Sequence, residues 1–103
     1  MKFFVRVEIP TEAGNAFVKS PSWGEKIQMI LQEQHAESPH FAAANGKRTC
    51  LYFTELSDAA KLPSIAEPWW LMLKANVELT PVMGPQELAK AGPDVAAAIK
   101  KYG

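Results

Sequence analysis

Apolar and polar residues alternate along the first segment of the chain, from Lys2 to Ile9. The apolar side chains Phe3, Val5, Val7 and Ile9 occupy one set of alternate positions. Phe4, Arg6 and Glu8 occupy the other set. A period of two is the pattern of a β-strand with one buried face. The sequence therefore predicts a strand here, which Pro10 ends.

Helical spacing follows this strand. A weak helical pattern runs from Thr11 to Val18, and a stronger one begins at Trp23 and continues to Gln34. In the stronger segment Trp23, Ile27, Ile30 and Leu31 recur at intervals of three and four. This spacing predicts a helix with one apolar stripe.

The clearest local signal is the pair Asn45-Gly46, which favours the positive φ angles of a two-residue hairpin turn. The turn predicts two strands, from His40 to Ala44 and from Lys47 to Glu55. It pairs Ala44 with Lys47, Phe41 with Cys50 and His40 with Leu51. Each strand then has two faces, and Leu51 and Phe53 lie on one of them. The other face carries Phe41, Ala43, Arg48, Cys50, Tyr52 and Thr54.

The second half of the chain repeats a helix and a strand. A helical region begins near Ser57 and is interrupted by Pro63, and Pro68 is expected in the first turn of the helix that contains Trp69 and Trp70. Alternation from Asn76 to Val82 predicts a fourth strand. Two short helices, 85–91 and 93–102, complete the chain.

The predicted order is βαββαβ with a helical tail. Two crossovers around a hairpin give an antiparallel ferredoxin-like sheet of strand order 4-1-3-2, with helices on one face. The sequence thus predicts an α+β chain of 103 residues that forms a single domain. We divide it into a ferredoxin-like core, residues 1–83, and a C-terminal helical extension, residues 84–103.

The face without helices is the predicted functional surface. We expect it to carry Phe4, Phe41, Arg48 and the candidate pocket residues Arg6, Glu8, Cys50, Tyr52 and Glu78. Its apolar part favours burial against a second copy, and its charges favour a polar pocket in the resulting homodimer. In that pocket Arg6 could hold a carboxylate and Glu78 could act as a base. Alternatively, Arg6 and Glu78 form a cross-strand ion pair that has only a structural role.

Several strings in the chain resemble known proteins. The opening Met1 to Arg6 and the closing strand Val77 to Val82 resemble the dimeric α+β barrel superfamily, and faintly the muconolactone isomerases. The strings 9–15, 45–49, 65–68, 81–83, 90–93 and 100–103 look more like a small family of uncharacterised bacterial proteins. These resemblances imply a dimeric α+β barrel but bring no assigned reaction and no catalytic motif.

The composition of the chain restricts the classes of partner and cofactor that we expect. Eleven basic and eleven acidic residues give a formal net charge of zero, which argues against nucleic acid or an anionic membrane as the partner. The single cysteine and the absence of a signal-peptide pattern at the start favour the cytoplasm. His35 and His40 have no cysteine or carboxylate at ligand spacing, so neither a metal nor another cofactor is expected.

Three functions remain open at this point. The first is a homodimer that binds a small, partly apolar metabolite in a pocket of the sheet face. The second is a cofactor-independent enzyme of the isomerase or monooxygenase type, with Glu78 or Tyr52 transferring a proton. The third is a purely structural dimer face without a ligand.

Overall fold

Three helices pack against one face of a four-stranded antiparallel sheet in the computed structural model, which describes all 103 residues. The strands are β1 (Lys2–Glu8), β2 (Glu37–Ala44), β3 (Lys47–Glu55) and β4 (Asn76–Pro81). The helices are α1 (Thr11–Val18), α2 (Trp23–Glu33), α3 (Leu62–Leu73), α4 (Pro85–Lys90) and α5 (Gly92–Tyr102), with a 3₁₀ turn at Ala59–Lys61. This α+β architecture is compatible with a ferredoxin-like fold.

The spatial order of the strands is β2-β3-β1-β4. Counted from the opposite edge, this is 4-1-3-2. The hairpin turn lies at Asn45-Gly46, where both residues have positive φ angles of 54° and 72°. The predicted pairs Phe41 with Cys50 and His40 with Leu51 are confirmed. A register shift interrupts β2 between Glu37 and His40.

The core lies between the sheet and helices α1 to α3. Val5 and Val7 of β1 are fully buried beneath Trp69 and Leu73 of α3 and Ile30 of α2. Strand β2 contributes little to the core, because all but the last of its residues are exposed. The helical layer therefore covers the sheet only as far as β3.

One helix begins earlier than the sequence suggested. Leu62 and Pro63 form the first turn of α3, so Pro68 lies inside the helix and not in its first turn. A proline within a helix lacks the N–H that the carbonyl four residues earlier would accept. That carbonyl belongs to Ser64, and the side chain of Gln34 lies beside it.

The last two helices extend away from this body. Residues 85–103 are exposed except for half-buried Ala91. The radius of gyration is 17.2 Å and the longest dimension is 58 Å, whereas a compact chain of this length has a radius near 13 Å. We call residues 84–103 the C-terminal arm.

Candidate functional site

The five predicted pocket residues lie on two different faces of the sheet. Arg6, Glu8 and Glu78 lie on the face without helices, as predicted. Cys50 and Tyr52 lie on the helix-covered face, where they are 2% and 1% exposed and belong to the core. The prediction that all five share the uncovered face is therefore wrong for these two residues.

The register between β1 and β3 explains this correction. Tyr52 is directly opposite Val5, and Cys50 is directly opposite Val7. Residues directly opposite each other in an antiparallel pair project to the same face. The hairpin was correctly divided into two faces, but the Cys50 face was assigned to the wrong side of the sheet. Phe41 and Arg48, which share that face, lie on the helix side for the same reason.

A buried polar network holds Tyr52 in the core. Its hydroxyl donates a hydrogen bond to Gln34 Oε1 and accepts one from Trp69 Nε1 at 3.0 Å. The two aromatic rings also pack with centroids 6.4 Å apart. A tyrosine can be fully buried here because its one polar atom has two partners.

Gln34 connects this network to the backbone of α3 and to a side chain of β3. Its Nε2 donates to the Ile65 carbonyl at 3.0 Å and lies 3.5 Å from the Ser64 carbonyl, the acceptor that Pro68 leaves without a helical donor. Its own carbonyl accepts a hydrogen bond from Thr54 Oγ1 at 2.7 Å. The sequence analysis did not single out Gln34, and the available signal was a glutamine that continues the apolar stripe of α2 just past the end of the helix.

Burial makes the Cys50 thiol and the Tyr52 hydroxyl inert at neutral pH. Desolvation raises the pKa of the Cys50 thiol to about 12, so the thiol stays protonated. Desolvation also raises the pKa of Tyr52 well above its ordinary value, although the hydrogen bond from Trp69 acts in the opposite direction. Neither residue is suited to proton transfer or nucleophilic attack near pH 7.

Charged residues on the uncovered face form a short line of ion pairs. Arg6 Nη2 is 3.5 Å from Glu8 Oε2, and Lys47 Nζ is 3.5 Å from Glu8 Oε1. Partial desolvation would raise the pKa of Glu8, but the side chains of Asn45, Lys47 and Arg6 outweigh it, so the pKa is lowered. Glu78 is directly across from Arg6 in the register yet forms no ion pair with it. The expected Arg6–Glu78 pair is therefore replaced by Arg6–Glu8.

The same face has an apolar part beside these charges. The rings of Phe4 and Phe53 lie 5.2 Å apart at their centroids. With Leu51 and His40 they border a shallow hollow of about 240 Å³. Most of the residues that line this hollow are apolar, and the hollow is open to solvent.

A better-enclosed cavity of about 360 Å³ lies on the other side of the sheet, where the helical layer ends. Its wall is largely aromatic and aliphatic. The lining residues are Ile9, Gly14, Phe17, Val18, Trp23, Phe41, Ala42, Arg48, Thr49 and Cys50. Phe41 is 63% exposed because no helix covers β2, and Trp23 at the start of α2 is 46% exposed.

Arg48 supplies the one charge of this cavity. Its Nη1 donates to Asn15 Oδ1 at 3.1 Å, and no carboxylate lies within ion-pair distance of its guanidinium. The side chain crosses α1 at Gly14, where a Cβ atom would stand 2.8 Å from Arg48 Nη1 and 3.2 Å from Ile9 Cγ2. Gly14 therefore permits an unpaired guanidinium to lie against the helix at the edge of an apolar cavity.

Sequence reasoning placed Arg48 and Phe41 on the same face but did not select Arg48 as a site residue. Gly14 and Asn15 weaken the helical pattern from Thr11 to Val18, and that pattern does not connect them with Arg48. Their role depends on the packing of α1 against β3, which joins residues 33 positions apart. A pattern within one segment does not contain that contact.

No group of three or more histidine, cysteine, aspartate or glutamate side chains is arranged to hold a metal ion. None of the helices combines the length and the apolar character needed to cross a bilayer. No protein-family model matches the chain, and no curated protein shows significant sequence similarity to it.

Proposed function

We propose that this protein binds a small, largely apolar molecule with an anionic group in the cavity between α1, α2 and the β2–β3 hairpin. The observation that carries the proposal is the unpaired Arg48 guanidinium at the edge of a cavity walled by Phe17, Val18, Trp23 and Phe41. Ligand sites are concave and mainly apolar, with a few polar groups that fix orientation. Arginine suits a carboxylate or phosphate group, to which it can donate two hydrogen bonds.

The dimensions of the cavity agree with this proposal. Small-molecule sites range from about 300 to 1,000 Å³, so about 360 Å³ is sufficient for a ligand with one or two rings. The protonated Cys50 thiol in the wall is a weak hydrogen-bonding group and adds little polarity. Binding without turnover is favoured over the enzyme hypothesis, because Tyr52 is committed to the core and Glu78 lies on the opposite face.

A pair of fluorescent probes tests this site. We expect 8-anilinonaphthalene-1-sulfonate, which is apolar and anionic, to bind with enhanced emission, and the neutral N-phenyl-1-naphthylamine to bind more weakly. Arg48→Gln should weaken the anionic probe by about 3- to 10-fold, since an exposed charge contributes on the order of 1 kcal/mol. The same substitution should change the affinity for the neutral probe less than twofold. Trp23→Ala should weaken both probes.

Lys47→Gln is the matched control for this experiment. Lys47 precedes Arg48 but pairs with Glu8 on the other face of the sheet. Its substitution should leave both probes unchanged. Equal affinity of Arg48→Gln and the native protein for the anionic probe would exclude the proposed anion site.

We also propose that the uncovered sheet face forms a homodimer, as in a dimeric α+β barrel. The half-buried apolar group of Phe4, Leu51 and Phe53 supports this, because such a group on an uncovered sheet face gains by further burial against another copy. Sedimentation velocity should show a dimer at micromolar concentration. Phe53→Asp should shift it toward the monomer, and Met29→Asp, on the outer side of α2, should not. A native protein that sediments as a monomer would contradict the proposal.

A further inference from the structure

The C-terminal arm has an apolar side with nothing packed against it. Leu88 of α4 and Val95, Ile99 and Tyr102 of α5 are 54–80% exposed, and Met83 before them is 62% exposed. In α5 the three residues recur at intervals of four and three, which places them on one side of the helix. Helices α4 and α5 contact each other, and their residues are otherwise exposed except for Ala91.

Such an arm needs a docking surface to be stable. An isolated helix shorter than about 12–15 residues is marginal in water, and α5 has 11 residues. Helices of this length are stabilised mainly by packing of their apolar side. The arm does not pack on its own body. Its root is fixed, because the Val82 N–H donates to the Lys2 carbonyl at 3.0 Å and only residues 82–84 separate β4 from α4.

The body of the same chain contains an unfilled apolar surface next to this root. A hollow of about 330 Å³ lies between α3 and the β4 edge, lined by Phe3, Leu62, Pro63, Ala66, Trp70 and Leu79. Trp70 is 46% exposed beside it, and the neighbouring Leu71 is 80% exposed. The chain thus presents both an uncovered apolar helix and an uncovered apolar hollow.

We infer that the C-terminal arm docks on a second copy of this chain, with the apolar side of α5 in the hollow between α3 and β4 of that copy. In a dimer with a two-fold axis, each copy's arm covers the hollow of the other copy, so both arms and both hollows are buried. An unrelated partner would not bury both. The four apolar side chains of each arm would remove on the order of 800 Å² from water in a dimer, at roughly 100 Å² each. With the surfaces that they cover, this reaches the 1,200–2,000 Å², approximately, of a stable dimer interface.

This inference rests on the proposed homodimer and adds a second contact to it. The sheet face and the arm are different regions, so their substitutions separate the two. Ile99→Asp should raise the dimer dissociation constant at least 10-fold in sedimentation experiments, because it places a charge in an apolar contact. Ala97→Asp is the matched control, since it adds the same charge to the opposite side of the same helix and should change the constant less than twofold.

A cross-linking experiment tests the docking position. A chain with Tyr102→Cys and a differently tagged chain with Leu71→Cys are mixed and treated with a short bismaleimide. The native Cys50 should not react, because it is buried. The expected product contains one chain of each kind, and Ile99→Asp in the first chain should abolish it.

Each other outcome overturns a defined part of the inference. A native dimer that Ile99→Asp leaves unchanged would show that the sheet face associates without the arm, so the arm inference fails and the dimer proposal stands. Disruption by Ile99→Asp without the cross-link would place the arm elsewhere on the partner and overturn the docking position. A native monomer would overturn both.

Discussion

The two faces of the sheet both carry large apolar side chains, but the helix-covered face carries more of them and the environments of the two faces differ. On the helix-covered face Val5, Val7 and Tyr52 are at most 1% exposed. On the uncovered face Phe4, Leu51 and Phe53 remain half-buried, beside the ion pairs of Glu8. The helices cover the more apolar face of the sheet, while the charged residues Arg6, Glu8 and Glu78 lie on the other face. The polar contacts that the covering helices provide also matter, as the partners of Tyr52 show.

The largest expected difference between the faces is in stability. Trp69→Ala should lower the free energy of unfolding by about 3–5 kcal/mol, because it removes a fully buried indole and leaves a cavity. Phe53→Ala on the uncovered face should lower it by about 1 kcal/mol, since that side chain is only partly buried. Urea unfolding of both variants at one protein concentration measures the two values. Equal losses would show that the faces contribute alike to the core.

The second largest expected loss of stability comes from the polar network of the covered face. Tyr52→Phe removes the acceptor of Trp69 Nε1 and the donor to Gln34 Oε1, so two buried groups lose partners. We expect a loss of about 2 kcal/mol, within the range for unsatisfied buried groups. Gln34→Leu should cost a similar amount.

The double variant tests whether these residues act together. Residues in one hydrogen-bond network show coupling energies of about 0.5–3 kcal/mol. The loss in Tyr52→Phe with Gln34→Leu should therefore be smaller than the two separate losses combined. Strict additivity would mean that Tyr52 and Gln34 stabilise the core independently.

These residues also show what the sequence could and could not predict. The alternation in β1 and the Asn45-Gly46 turn are local signals, and they correctly predicted the strands and the pairing of Phe41 with Cys50. The side to which Cys50 and Tyr52 project depends on the register between β1 and β3, which brings together residues about 45 positions apart. Strand β3 is apolar on both faces, so its own pattern could not select one.

The candidate site was difficult to predict for a related reason. The cavity exists because the helical layer stops at β3 and leaves β2 uncovered, and that limit is set by the packing of complete helices. Arg6, Glu8 and Glu78 were correctly placed on the uncovered face, because the alternation of β1 and β4 is unambiguous. Arg48 acquires its position from Gly14 and Asn15 of α1, a contact that no single segment contains.

Alkaline pH should destabilise the protein through a buried group of the covered face. The pKa of Cys50 rises from an ordinary 9.0 to about 12 in the folded protein. Between these values the unfolded chain releases the thiol proton and the folded chain retains it. Stability that is present below pH 9 is therefore lost as the pH rises toward 12, with a slope of up to about 1.4 kcal/mol per pH unit for one group.

Cys50→Ala is the control for this pH dependence. The pKa of Tyr52 is raised for the same reason, so the variant should retain part of the alkaline loss but show a shallower slope. Urea midpoints at pH 8, 9, 10 and 11 for both proteins measure the difference. Identical slopes would show that Cys50 titrates as readily in the folded state as in the unfolded state.

The smallest expected effect lies at the margin of the covered face, where two glycines can be compared. Gly24 in α2 has no neighbour within 4 Å of an added Cβ, so Gly24→Ala should stabilise the protein by about 0.5–1 kcal/mol through the lower entropy of the unfolded chain. Gly14→Ala has the same entropic gain, but its Cβ would press on Ile9 and on the Arg48 guanidinium. We expect little or no net stabilisation from Gly14→Ala, together with weaker binding of the anionic probe as Arg48 is displaced. Thermal melts and probe titrations of the two variants measure both effects. If Gly14→Ala stabilises as much as Gly24→Ala and leaves the probe affinity unchanged, close packing at Gly14 does not position Arg48.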